Sequence, residues 1–389
     1  MLYTVPQYID IINDSYGLTR TLGVIEPCRD AHGQPEFTVG NSSVIFRIMR
    51  EGRPWLLKCY TRPKSNTRRI YGSRCLHDEL FVTDAGGRSG CWVDAVLMEW
   101  AEGCTLRAAV RQAAGSAEAF GRLSRSFDRF AVWLLGEEWA HGDIKPENII
   151  VAADGSMQAI DFDAVFLPTF AGGMCEETGT AAYQHPQRSC NLFDSSIDDY
   201  PLALISTALF ALSIDPSLGV RYPADDILLF DSREIFAGSS RALAEVCDML
   251  QRECHAARYR IASMLTSPSA RLFGLREMLG YANFEPAAVC GGSVAPELVE
   301  FDGRWGYAVN GRLVIPPVYD SGFEFSEGRA VVRVGSAVHV IDASGVPLHE
   351  GNCAPTAAEA CKNGVKHGDK APYGPKEDGV RFDPPPLRK

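Results

Sequence analysis

The segment from His141 to Val151, HGDIKPENIIV, holds an acid, a lysine and an amide at a spacing that suits phosphoryl transfer. Asp143 could accept the proton of a substrate hydroxyl, and Lys145 could reach the γ-phosphate of a nucleotide. Asn148 offers an amide oxygen and Asp161 a carboxylate, and oxygen ligands are those that Mg²⁺ prefers. These four side chains predict a site for ATP-dependent phosphoryl transfer assisted by Mg²⁺ or Mn²⁺.

The sequence before this segment predicts a small antiparallel sheet. The strings FTVG and SVIFRIMREGRPWLLKCY indicate three strands, with turns at Gly40–Ser42 and Glu51–Pro54. The string LFVTDAGGRSGCWVDAVLMEW predicts a further hairpin with a glycine-rich turn at Gly86–Gly90. We therefore expect a five-stranded sheet that ends near Trp100.

Helical sequence dominates the next part of the chain. Apolar residues recur at three- and four-residue steps after Glu118, which is typical of one face of an amphipathic helix. The predicted helices are Glu118–Trp139, Ile197–Ile214 and Ser239–Met264, and the predicted short strands are Ile149–Val151 and Met157–Ile160. A β-rich first part followed by a helical second part predicts an α+β fold with two lobes.

The composition changes again after Tyr281. A linker of small residues and proline leads into a β-like segment in which Gly303 aligns with Gly335, an internal repeat of about 32 residues. From Gly351 the sequence is rich in Gly, Pro and Lys and poor in apolar residues, which predicts disorder. The sequence thus predicts a small C-terminal β module followed by a disordered tail.

Two resemblances give these patterns a meaning. Residues from about 36 to 280 resemble a bacterial serine/threonine protein kinase domain, on the strength of HGDIKPEN and of Asp161 in IDFD. The later segment resembles the WG-repeat family through Trp305-Gly306, VIPPVYD and FSEG. The resemblances imply a two-lobed kinase-like fold with a WG-repeat module. We expect Trp305 and Tyr319 to form the core of that module, which docks on the large lobe or on another protein.

The kinase resemblance implies roles for further residues. Asp143 would be the catalytic acid, and Lys145 would favour a protein Ser/Thr hydroxyl as substrate. Lys58 would pair the α- and β-phosphates of ATP, with Asn148 and Asp161 as metal ligands. The remaining implied nucleotide contacts are Gly40, Ser42 and Ser43 in the phosphate loop and Met98, Glu99 and Ala101 at the adenine.

The kinase resemblance also implies that two residues farther along the chain support the catalytic loop. Asp198 would brace the loop backbone. Thr180, in GTAAYQHPQ, would face the loop from the end of the activation segment.

Four features depart from the kinase pattern. The phosphate loop GNSSVIF keeps one glycine, and HGD replaces HRD, so activity is not expected to require activation-loop phosphorylation. Asp163 stands where DFG has its glycine, which costs backbone freedom. Glu79 lies at about the right separation to pair with Lys58, but LHDELFVT could equally be a strand, which would leave Lys58 without that partner.

Composition limits the compartment and the partners. A net charge of −11 without a basic stripe argues against a nucleic-acid partner. The twelve cysteines form no CxxC pair, and no apolar stretch is long enough to span a membrane. The first residues carry no signal-peptide pattern, so we expect a reduced, cytoplasmic protein.

The predicted organisation is an N-terminal extension (1–35), a kinase-like domain (36–285, with lobes 36–100 and 101–285), a linker (286–300), a WG-repeat module (301–350) and a tail (351–389). The predicted function is a protein serine/threonine kinase acting on a protein substrate, with a possible protein partner on the WG-repeat module. Two alternatives stay open: a pseudokinase scaffold that acts through this module, and a small-molecule phosphotransferase suggested by HGD.

Overall fold

The computed structural model describes residues 3–83, 89–223, 227–282 and 295–348. Contacts along the chain divide it into two units. Unit 1 comprises residues 1–104 and 160–165, and unit 2 comprises residues 105–159 and the chain from 166 onward. Most of the predicted turn at 86–90, much of the predicted linker and all of the predicted disordered tail lie outside the described residues. The fold is mixed α/β, and no described helix is long and apolar enough to cross a bilayer.

Unit 1 is built on a curled antiparallel sheet in the order β1-β3-β4-β6-β5, with β2 paired to β3. Its strands are β1 (Glu26–Pro27), β2 (Phe37–Val39), β3 (Ser43–Arg50), β4 (Arg53–Tyr60), β5 (Cys75–Thr83) and β6 (Gly90–Glu99). Alternation in β3 turns Val44, Phe46 and Ile48 into the core. The sheet has six strands where five were predicted, because the two residues of β1 are too short to leave a sequence pattern.

The helices of unit 1 are α1 (Val5–Asn13) and the short α2 (Thr67–Tyr71). Thr4 and Gln7 form a capping box at the start of α1, and the helix buries Tyr8, Ile11 and Ile12 in the core of the sheet. The predicted N-terminal extension therefore folds as part of unit 1, and no boundary is visible at residue 35.

Unit 2 begins in β7 (Cys104–Thr105), which spans the division. Its helices are α3 (Leu106–Gln112), α4 (Ala117–Leu134), α5 (Asp199–Ile214), α6 (Leu218–Arg221), α7 (Ser232–Phe236), α8 (Arg241–Arg252), α9 (Ala256–Met264) and α10 (Leu275–Ala282). Strands β8 (Ile149–Val151) and β9 (Met157–Ala159) form an antiparallel hairpin. Helix α5 is apolar on all sides and almost wholly buried, as expected of a central helix.

The segment Ser239–Met264 is helical, as predicted, but it forms two helices because the chain breaks between α8 and α9. Cys254 adopts a positive φ of 56°, which is incompatible with continuing the helix. Helical sequence lies on both sides of Cys254, so the break is a local change of backbone conformation within a helical segment.

The C-terminal part of unit 2 holds two three-stranded sheets. They are built from β10 (Glu297–Phe301), β11 (Arg304–Val309), β12 (Arg312–Tyr319), β13 (Ser321–Gly322), β14 (Arg329–Val334) and β15 (Ala337–Asp342). Tyr319 is buried and Trp305 partly buried in their shared core, as predicted. That core also includes Ala256 of α9, so the module packs on helices of its own unit.

Candidate functional site

Asp143 is the centre of a polar cluster in unit 2. Its Oδ2 lies 3.1 Å from the Lys145 ammonium and accepts a hydrogen bond of 3.1 Å from the Asn148 amide. The same amide donates to the Asp143 carbonyl at 2.9 Å. The carboxylate is therefore held between a cation and an amide, and it is only partly exposed.

Thr180 contacts this cluster from the segment that precedes α5. Its backbone N–H donates to Asp143 Oδ1 at 2.7 Å, and its hydroxyl accepts from Lys145 Nζ at 2.9 Å. The close approach requires glycine at 179, where φ is +79° and a Cβ would lie 2.6 Å from the Gly142 carbonyl. Thr180 therefore contacts both Asp143 and Lys145.

Asp198, immediately before α5, fixes the backbone of the loop from the interior. Its carboxylate accepts the N–H of Gly142 at 2.9 Å and that of His141. Burial raises the pKa of Asp198, and the two backbone donors oppose that shift. Gly142 adopts φ 83°, so the glycine of HGD meets a conformational need of the loop.

Asp199, the next residue, is a buried acid from which we predict a pH dependence of stability. Burial, with the nearby acids Asp198 and Asp194, raises the pKa of Asp199 to about 7. An unfolded aspartate has a pKa of about 3.9, so the folded state holds a proton that the unfolded chain has released. Stability should therefore fall as the pH rises from about 4 to about 7.

The variant Asp199→Asn is neutral throughout this range and should lack this component. Its melting temperature relative to the wild type should increase between pH 5 and pH 8, measured by scanning calorimetry. Parallel pH profiles for the two proteins would contradict the assignment.

Lys58 of β4 is the centre of a second cluster, in unit 1. Its side chain is 1% exposed, and its ammonium lies 2.5 Å from Asp161 Oδ1 and 2.8 Å from Asp163 Oδ1. Burial lowers the pKa of a lysine, but the two carboxylates outweigh it and hold the pKa of Lys58 above its ordinary value. The structure therefore brings Lys58 and Asp161 together.

Asp163 is the partner that sequence reasoning missed. Besides Lys58, its Oδ1 accepts hydrogen bonds from the hydroxyls of Tyr60 at 2.9 Å and Tyr71 at 2.8 Å. The sequence presents Asp163 as a lost glycine, and neither tyrosine belongs to a catalytic motif. The backbone turns at Asp161, where φ is 66°, and the sequence carried no signal for this turn.

Glu79 does not pair with Lys58. It lies within strand β5, fully buried, and its Oε1 accepts the N–H groups of Thr21 at 2.9 Å and Leu22 at 2.8 Å. The strand interpretation of LHDELFVT is therefore the right one, and α2 is a helix of five residues without an acid. Glu79 supports the fold by holding the chain at residues 20–22.

The predicted phosphate loop is closed by an internal hydrogen bond, and one of its two serines is buried. Gly40 N–H donates to the Ser43 carbonyl at 2.8 Å, and the Ser43 side chain is buried at the start of β3. Ser42 is half-buried, and its carbonyl accepts from Thr61 N–H at 2.9 Å. Of the two serines, Ser42 is the one with an accessible side chain.

The predicted adenine contacts end β6. Met98 pairs with Leu56 and Glu99 with Trp55 of β4, and Ala101 follows outside the strand. Met98 packs with Tyr60, Tyr71 and Val96 in a small apolar cluster of unit 1. Beyond Glu99 the strand ends, although the Trp100 N–H still donates to the Pro54 carbonyl of β4 at 3.3 Å.

The proposed metal ligands suit Mg²⁺ by their donor atoms. The Asn148 amide nitrogen is engaged by Asp143, which leaves its oxygen as the ligand atom. The Asp161 side chain is 40% exposed and can offer a carboxylate oxygen. Each of these side chains, within its own unit, offers an oxygen atom of the kind that a hard cation binds.

Comparison with known proteins identifies one segment. Residues 309–336 match the model of the WG containing repeat family. They run from the end of β11 through β14, and they confirm the predicted WG repeat for that part of the module. No curated protein matches the chain. The matched segment lies outside residues 36–285, to which the kinase resemblance applies.

Proposed function

We propose that this chain has a two-lobed protein-kinase-like fold and transfers the γ-phosphoryl group of MgATP to Ser or Thr hydroxyls of a protein. The observation that carries the proposal is the cluster of Asp143, Lys145 and Asn148, with Thr180 bound to the acid and the lysine. The spacing of these side chains suits an acid that orients a hydroxyl beside a phosphate-binding cation. In this assignment, unit 1 is the β-rich lobe and unit 2 the helical lobe.

Each side chain has a distinct task in the proposed reaction. Asp143 accepts the proton of the attacking hydroxyl, and Lys145 neutralises charge on the transferred phosphoryl group. Lys58 binds the α- and β-phosphates, and Asn148 and Asp161 hold Mg²⁺. When bound, Mg²⁺ would offset the negative charge of the phosphates.

The remaining roles concern nucleotide binding. The backbone at Glu99 and Ala101 binds adenine beside Met98. Gly40 and Ser42 approach the phosphates, with Ser43 holding the turn.

The test is a phosphorylation assay with labelled ATP and Mg²⁺ or Mn²⁺, on the protein itself and on casein. The variant Asp143→Asn keeps the shape of the side chain and an acceptor for Thr180 N–H but removes the base. We expect transfer to fall by about 10²–10⁴-fold. Glu118→Gln, on an exposed helical surface, is the matched control and should keep full activity. Equal transfer by wild type and Asp143→Asn would exclude catalysis by this loop.

A pseudokinase scaffold is the second candidate, and two observations favour it. Ser43 is buried, and Lys58 is bound to Asp161, one of the proposed metal ligands. For this candidate, Asp143→Asn and wild type give the same background in the assay. A rise in melting temperature with MgATP would then identify a nucleotide-binding scaffold, and no rise would identify one that works without nucleotide.

A further inference from the structure

The two carboxylates that face Lys58 differ in their surroundings. Asp163 is 11% exposed and accepts from both Tyr60 and Tyr71 as well as from Lys58. Asp161 is 40% exposed, and the contact described for its carboxylate is Lys58. One acid is thus fixed by three donors, whereas the other is held by one and reaches solvent.

Lys58 needs a permanent counter-charge because it is buried. A buried cation that loses its partner is costly, since nothing replaces the water it left. If the Asp161 carboxylate binds a metal ion, it can no longer neutralise the charge of Lys58 to the same extent. Glu79 cannot take its place, because both its oxygens are bound by residues of the segment before β1.

We propose that Asp163 is the positioning residue for Lys58, which leaves Asp161 to bind the metal ion. This inference rests on the proposed function, because it assigns tasks within the same nucleotide site. The tyrosine hydroxyls fix the rotamer of Asp163, and Asp163 in turn fixes the ammonium that meets the phosphates. The Asp-Phe-Asp sequence therefore supplies both the ion-pair partner and the metal ligand within three residues.

The first test uses the protein without nucleotide. Asp163→Asn keeps an acceptor for the tyrosines but removes the charge, so it should lower the melting temperature by about 5 °C. In a Lys58→Met background the same change should cost no stability or raise the melting temperature, because it then removes a carboxylate that has lost its cation. Asp161→Asn is the matched control, with a smaller and more nearly additive effect. Equal coupling of both acids to Lys58 would overturn the inference.

The second test measures ATP binding by fluorescence titration, in EDTA and in Mg²⁺. Asp163→Asn should weaken ATP binding about tenfold in both conditions, because it acts through Lys58. Asp161→Asn should bind ATP like the wild type in EDTA and lose the gain that Mg²⁺ brings. Asp163→Glu should restore part of the affinity. Unchanged affinity of folded Asp163→Asn in EDTA would overturn the positioning role.

Failure of the proposed function gives a different pattern. A wild-type protein that binds no ATP would overturn both the proposed function and the nucleotide role of Asp163, even if the thermal coupling to Lys58 is found. Wild-type binding together with absent coupling would overturn the inference alone.

Discussion

Replacing Arg258 by Met should destabilise the protein by about 3–5 kcal/mol. Arg258 of α9 is 5% exposed and forms an ion pair with Asp128 of α4, which is fully buried. Its guanidinium also donates to the Ser206 hydroxyl of α5 at 3.0 Å and lies 4.3 Å from the centre of the Phe210 ring. Met fills a similar volume, so the loss comes from leaving Asp128 charged and unpaired in the interior.

Urea unfolding followed by circular dichroism measures this change. Arg271→Met is the matched control, because Arg271 and Asp194 form the same type of pair at 51% and 33% exposure. An exposed pair contributes about 0–1 kcal/mol. Adding Asp128→Asn to Arg258→Met should recover part of the loss, since the orphaned charge disappears. Similar losses for Arg258→Met and Arg271→Met would refute the role of burial.

Removing residues 290–389 should lower the melting temperature by several degrees. The apolar core of the C-terminal module includes Ala256 and receives Tyr259 of α9 and Met278 of α10. Exposing such side chains costs on the order of 2–4 kcal/mol in total. The module also hydrogen-bonds α8, where Gln251 Oε1 accepts from the Ser336 hydroxyl at 2.7 Å. An unchanged melting temperature after truncation would show that the module does not brace these helices.

A point variant tests the same contact without removing the module. At Gly335 a Cβ would lie 2.4 Å from Gln251 Nε2 and 2.7 Å from the Tyr259 hydroxyl. Gly335→Ala should therefore displace the Gln251 side chain, which would weaken its hydrogen bond with Ser336 and lower the stability. Gly328→Ala is the control, because Gly328 also has a positive φ but no neighbour within 4 Å of a Cβ. The same loss of stability in both would indicate backbone strain as the cause.

The elements of the fold that were predictable from the sequence are those with a clear hydrophobic period. The alternation of β3 and the helical period of α4 are strong signals, and both elements begin close to their predicted positions, although α4 ends at Leu134 and not at Trp139. The two-residue β1 is too short to show a period, and the break at Cys254 is a change of backbone conformation at one residue inside helical sequence.

The candidate site was likewise predictable where its residues lie close together in the sequence, and not where they lie far apart. Asp143, Lys145 and Asn148 lie within six residues, so chain spacing alone predicts that they meet. The partner of Lys58 is far away in sequence, and Asp163 could not be distinguished from a turn residue. Glu79 was ambiguous because the same letters suit a helix end and a strand, and the backbone donors at residues 20–22 decided between them.

The division of the chain has a consequence for biosynthesis. Residues 1–104 contain Lys58, but its two counter-charges arrive only with residues 160–165, which belong to the same unit. A nascent chain of 104 residues therefore carries a lysine that cannot be buried at low cost. Unit 1 should complete its interior only after α4 and the β8–β9 hairpin have left the ribosome. Unit 1 therefore cannot finish folding before residues 105–159 of unit 2 have been synthesised. A fragment ending at Cys104 should fold poorly by itself.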